Sequence, residues 1–150
     1  MTISDEDRAA IVAQRLRTAS EMLSDAKVLL DRGSLRSAAN RSYYCAFHAI
    51  SALAIGLEQT IKTHRGVIGF FHAEFIAKGV FGKRFGLAVQ EAFEDRSEAD
   101  YEDIPHLDPE QIRARLSDLG ELVEAVRKHL GASKGLCESG SGSSEPPDAR

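Results

Sequence analysis

Val12, Leu16, Ala19, Leu23, Ala26 and Leu30 recur in steps of four, three, four, three and four residues, the feature that most narrows what this chain can fold into. An α-helix repeats about every 3.6 residues, so this spacing lays six apolar side chains along one helical face. A strand, with its period of two, would scatter them over both faces. The spacing predicts a helix from about Asp5 to Asp31.

The same pattern continues. Gly33 is a helix-stop residue, and Ser34 is placed to cap a second helix that runs to about Ile55, where Gly56 closes it. After a link from Leu57 to Thr63, Thr63 or His64 opens a third helix. Val67, Ile68, Phe71 and Phe75 point one way on it, and Gly79 ends it. Phe81, Phe85, Ala88, Ala92 and Phe93 mark a fourth helix up to about Ala99. The acidic segment Asp100 to Leu107 contains Pro105 and is expected to be a loop. Asp108 then caps a last helix, with Pro109 at its first position and Gln111 where a capping box takes Glu or Gln. Ile112, Leu116, Leu119, Val123, Val126 and Leu130 supply its core stripe.

After Gly131 the sequence is rich in Gly, Ser, Pro and Glu, so residues 132–150 are expected to form a disordered tail. No segment has strand periodicity. The fold expected for residues 1–131 is therefore all-α, an antiparallel bundle of four long helices plus a short fifth. At 150 residues, with 43% hydrophobic and 28% charged side chains, the chain suits one core and one domain.

Charge limits the function. A net charge of −4 argues against a protein that coats nucleic acid through bulk positive charge, though not against a local basic site. Lys62, Arg65, Lys78, Lys83 and Arg84 make the middle of the chain basic, and nine acidic side chains follow between Glu91 and Glu110. Two solvated faces would give the same layout. The acidic N-terminus has no signal-peptide core and no run approaches a membrane span, so a cytoplasmic protein with no membrane partner is expected.

Cys45 and Cys137 lie too far apart in character and position to suggest a disulfide framework. His64, His72, His106 and His129 lack the spacing of a metal site on one helix, and no Gly-rich phosphate loop occurs, so neither metal nor cofactor is expected.

On a helical wheel the second helix has two working faces. Ala39, Tyr43, Ala46, Phe47, Ile50, Leu53, Ala54 and Leu57 form the side expected to pack into the bundle. Ser34, Ser37, Ala38, Arg41, Tyr44, Cys45, His48, Ala52 and Ile55 form the opposite side, where Arg41 is the only full charge. Its small residues predict a close partner helix; if the bundle itself leaves the face open, a two-fold copy in a homodimer is the simplest cover. Arg41 and His48 stand two turns apart on it. An arginine paired with a carboxylate and a satisfied interface histidine fit this spacing as well as a catalytic pair does. Likewise, Tyr43, Tyr44 and Tyr101 read first as packing residues, and His64 reads either as part of a helix start or, beside Lys62 and Arg65, as a phosphate contact.

The string Ala38-Ala39-Asn40-Arg41-Ser42-Tyr43-Tyr44-Cys45-Ala46-Phe47-His48-Ala49-Ile50 resembles the signature helix of the HEPN superfamily, in particular its small stand-alone prokaryotic members. Thr63-His64-Arg65-Gly66-Val67-Ile68 and Arg96-Ser97-Glu98-Ala99-Asp100-Tyr101 resemble two further segments of the same subgroup. The resemblance covers about residues 5 to 130 and implies a helical bundle that is commonly dimeric.

In nuclease members, the arginine and histidine form a metal-independent ribonuclease site at the dimer interface, and many such proteins are toxins paired with a small nucleotidyltransferase antitoxin. Carried over, this makes Arg41 and His48 catalytic, with Asn40, Ser42, Tyr44 and His64 supporting the site or binding substrate. Ser42 stands where nuclease members often have Asn, Asp or His. Ile50 stands where antitoxin-modified members have Tyr, so that modification is not expected. The other reading the resemblance allows is a non-catalytic RNA- or nucleotide-binding partner subunit of a nucleotidyltransferase.

Overall fold

A computed structural model of the chain describes the backbone of residues 3–139 and the side chains of residues 3–131. Five α-helices follow one another: α1 (Asp5–Asp31), α2 (Leu35–Gly56), α3 (His64–Phe71), α4 (Lys83–Tyr101) and α5 (Pro109–Ser139). A π-helical turn, His72–Ile76, extends α3. Four helices are long and α3 is short, and no strand occurs among the described residues, so the all-α bundle is as expected.

Local chemistry sets the helix ends. Ser4 accepts a hydrogen bond from the Asp7 amide at the start of α1, and Asp5, Glu6 and Asp7 place negative charge at the positive end of the helix dipole. Gly33 adopts φ 82°, a left-handed turn that only glycine makes without a β-carbon penalty, and the chain reverses there into α2. Ser34 is the residue before α2, but its hydroxyl makes no cap bond, which corrects the expected role. Gly56 is the last residue of α2, yet the left-handed turn beyond it belongs to Glu58, at φ 60°. The Thr63 hydroxyl accepts from the Gly66 amide at 2.9 Å and opens α3. Asp108 does the same for α5, its carboxylate accepting from the Glu110 amide at 2.9 Å.

α4 runs two residues into the segment expected as a loop. Arg36 of α2 donates to the carbonyl oxygens of Ala99, Glu102 and Asp103, satisfying acceptors that a helix C-terminus leaves open. At the other end of the chain, α5 continues past Gly131 to Ser139, into the segment expected as a tail. Once a helix is nucleated each added residue gains a hydrogen bond, so a sequence of modest helix propensity can extend it. Residues 140–150 of that expected tail lie outside the described residues.

The larger change concerns α2. The side of α2 opposite the expected packing face is not left for a second copy: Ala38, Cys45 and Ala52 are fully buried. α1 lies along them, and α2 also touches α3, α4 and α5. A helix with apolar residues on both sides of its wheel is a central helix, wrapped by its own bundle. What stays partly open is a narrower stripe holding Ser37, Arg41, Tyr44, His48 and Ile55. α1 and α2 run antiparallel in a regular register. Arg8 donates to the Ile55 carbonyl at 3.3 Å, and Arg15, two turns on, reaches His48, two turns back from Ile55. No helix among the described residues is long and apolar enough to cross a membrane.

Candidate functional site

The open stripe of α2 meets α1, α3 and α4 at one place. His48 receives a hydrogen bond at Nδ1 from the Arg15 guanidinium, 3.0 Å away. Burial, then the charge of Arg15, then His64 lower the His48 pKa below the ordinary histidine value, so the ring is neutral at pH 7.

His64, at the first position of α3, stacks on Phe47 with ring centroids 4.3 Å apart. Its Nδ1 lies 2.7 Å from the Tyr43 hydroxyl. Tyr43 is fully buried, and burial pushes its phenol up to about 12 against the opposing charge of Arg96, so it remains a protonated hydroxyl. Burial and Arg96 likewise lower the His64 pKa. Tyr44 stands between the two imidazoles, 6.1 Å from His48 and 5.8 Å from His64 between ring centroids.

α4 adds a cation. The Arg96 guanidinium lies over both Tyr43 and Tyr44, at 5.2 and 5.5 Å from the ring centroids, and donates to the Tyr44 hydroxyl at 3.3 Å. Asp100, one turn on, pairs with Arg96 at 3.1 Å. The three sequence segments that resemble HEPN motifs therefore converge: Tyr43, Tyr44 and His48 from the first, His64 from the second, Arg96 and Asp100 from the third.

The sites expected from sequence fare differently. His48, Tyr44 and His64 are brought together. Arg41 stands on the same open stripe, one turn before Tyr44, and donates to the Asn40 side chain at 2.7 Å, so Asn40 orients it. Ser42 does not join them. It is 2% exposed and its hydroxyl donates to the Ala38 carbonyl at 2.8 Å, within its own helix. The reason is phase: one residue past Arg41 turns the side chain about 100° off the open stripe. Of the tyrosines, Tyr43 is core, whereas Tyr101 is 83% exposed and does not pack as expected.

Sequence reasoning missed Arg15. The one available signal was position, since Arg8 and Arg15 are two turns apart on the border of the α1 stripe, as His48 and Ile55 are on α2.

The HEPN domain model matches residues 12–129. The chain belongs to the HEPN family. A UPF0332 protein of Thermotoga maritima is 31% identical to this HEPN chain over 81% of the chain and 92% of the relative. A protein of Methanocaldococcus jannaschii, named as a candidate toxin, is 34% identical over 57% of the chain and 64% of the relative. A UPF0332 protein of Pyrococcus horikoshii is 37% identical over 45% of the chain and 48% of the relative. The matched region of the HEPN model begins before Arg15 and ends after α4, so it takes in every residue of the converging cluster.

Proposed function

We propose that this HEPN chain is a metal-independent endoribonuclease, the toxin of a toxin–antitoxin pair, working as a homodimer with Arg41 and His48 at the shared interface. The observation that carries this reading is the open stripe of α2, which holds a guanidinium, a phenol and an imidazole in line, with a second imidazole beside them from α3. Cleavage of RNA without metal needs little more. An imidazole takes the 2′-hydroxyl proton as O2′ bonds to phosphorus; the P–O5′ bond breaks and O5′ takes a proton from a second ring in its imidazolium form, which the negative charge of bound phosphate favours. The products are a 2′,3′-cyclic phosphate and a 5′-hydroxyl. Arg41, always charged, binds the phosphate oxygens as negative charge builds on them.

Exposed Lys62 and Arg65 flank His64 and suit the phosphates of neighbouring nucleotides. The toxin role rests on the name of the Methanocaldococcus jannaschii relative and on the family, and the partner expected from that role is a small nucleotidyltransferase antitoxin. An RNA substrate puts the work of the protein in the cytoplasm.

A second reading, a non-catalytic RNA- or nucleotide-binding partner subunit, draws support from one feature: His48 Nδ1 is occupied by Arg15 and so is not free to take a proton. One gel of labelled RNA separates the two. Wild-type protein is expected to cleave equally with and without EDTA, and Arg41→Ala and His48→Ala are each expected to slow cleavage by roughly 100-fold or more. The binding reading expects no cleavage by wild type, and binding that weakens with Arg41→Ala but hardly changes with His48→Ala. EDTA-sensitive cleavage, or cleavage indifferent to His48, defeats the mechanism.

A further inference from the structure

Arg15 lies on α1, outside all three motif segments, yet it makes the closest polar contact to the candidate catalytic imidazole. Arginine has five N–H donors, no acceptor, and stays charged at any physiological pH. At 3.0 Å its Nη1 must donate, so His48 Nδ1 accepts with its lone pair. In a neutral ring the one remaining proton then sits on Nε2. Packing fixes this arrangement: Arg8, two turns earlier on the same edge of α1, ties the same two helices together through the Ile55 carbonyl. Among the described residues Arg15 makes no ion pair, and this ring is its one side-chain hydrogen-bond partner. A half-buried guanidinium without a counter-charge is a receptor for an anion.

We propose that Arg15 is the phosphate-binding latch of the site. In the free protein it holds His48 with its proton on Nε2. When RNA binds, the guanidinium turns to the scissile phosphate and releases Nδ1 as the base for the 2′-hydroxyl. This rests on the ribonuclease reading above, deepens it by adding a residue, and accounts for an occupied Nδ1 in a nuclease. The charged and titratable groups around the ring are few. Arg15 faces it from α1, His64 from α3 and Tyr44 from its own helix, and Arg96 of α4 acts through Tyr44 and His64. Of these, Arg15 alone bonds to the ring and carries a full charge, so its departure frees Nδ1 and also eases protonation of the imidazole.

The test reads the ring directly, on full-length protein with 15N-labelled histidine. Wild type is expected to show His48 as the Nε2–H tautomer, titrating below the ordinary histidine range. Arg15→Met removes donor and charge; the His48 midpoint should rise and the tautomer preference fall away. Arg15→Lys keeps the charge and should leave the midpoint nearer wild type, and it decides the matter if Arg15→Met fails to fold. Adding a 2′-O-methyl RNA oligonucleotide, which binds but cannot be cleaved, should shift the Nδ1 resonance and raise the His48 midpoint in wild type only.

An Nδ1–H tautomer in wild type, or a midpoint unmoved by Arg15→Met, overturns the latch even if RNA is cleaved. A wild type that shows the tautomer, the midpoint shift and the RNA response but cleaves nothing keeps the latch as a binding device and sinks the ribonuclease reading alone.

Discussion

Burial, then the Arg15 guanidinium, then the His64 imidazole make the His48 ring harder to protonate. Its pKa, and that of His64, are lower in the folded chain than in the unfolded one, so the unfolded state binds more protons as pH falls through about 6.5. Each histidine therefore adds a loss of stability that begins at its unfolded value and is complete below its lower folded value. The melting temperature of His48→Gln should fall less steeply than that of wild type between pH 7.5 and 5, measured side by side by calorimetry. Equal slopes would mean that burial and Arg15 do not act on this ring.

Cys45 gives a second test at this scale. Fully buried, with burial pushing its thiol up to about 12, it should resist iodoacetamide at neutral pH until the chain is unfolded, as peptide mass mapping would show. Labelling of Cys45 in the native protein would show that α1 opens away from α2.

At the scale of helices, the caps separate two residues that look alike in sequence. Ser34 and Thr63 both precede helices, but only Thr63 makes the cap bond. Thr63→Ala should cost about 1 kcal/mol and Ser34→Ala much less, read by urea unfolding. Equal costs would contradict the geometry. Gly66 belongs to the same device, since a β-carbon there would lie 2.8 Å from the Thr63 hydroxyl and 2.9 Å from Ile61. Gly66→Ala should therefore disturb the cap, and with it the seat of His64, at a cost of about 1–3 kcal/mol. A variant as stable as wild type, with unchanged His64 resonances, would show that the turn has room to give.

The periodic stripes made all of this legible as helices, and the stripe residues of α5 from Ile112 to Val126 are indeed buried. The π-helical turn after α3 was not legible. The side of this turn lies close against α4, where a β-carbon at Gly86 would stand 3.1 Å from both His72 and Ile76.

For the whole molecule, the case for a dimer no longer rests on an uncovered face of α2, because α1 covers it. It rests on the HEPN family and on the proposal that two copies of Arg41 and His48 meet at the interface; His64 is the second imidazole within one chain. Light scattering at micromolar concentration should give twice the chain mass of 16.4 kDa. A clean monomer that still cleaves RNA would move the second proton transfer to His64.

Taken by itself, the sequence determined the helices, their order and the line of Arg41, Tyr44 and His48 on one of them. These depend on the 3.6-residue repeat, which is local and can be counted. It could not determine which neighbour covers which face of α2. A wheel gives the phase of a side chain about its own axis and nothing about the helix opposite. That choice belongs to the packing of the whole bundle, which buried Cys45 under α1 and brought Arg15 from thirty-three residues away to the imidazole of His48.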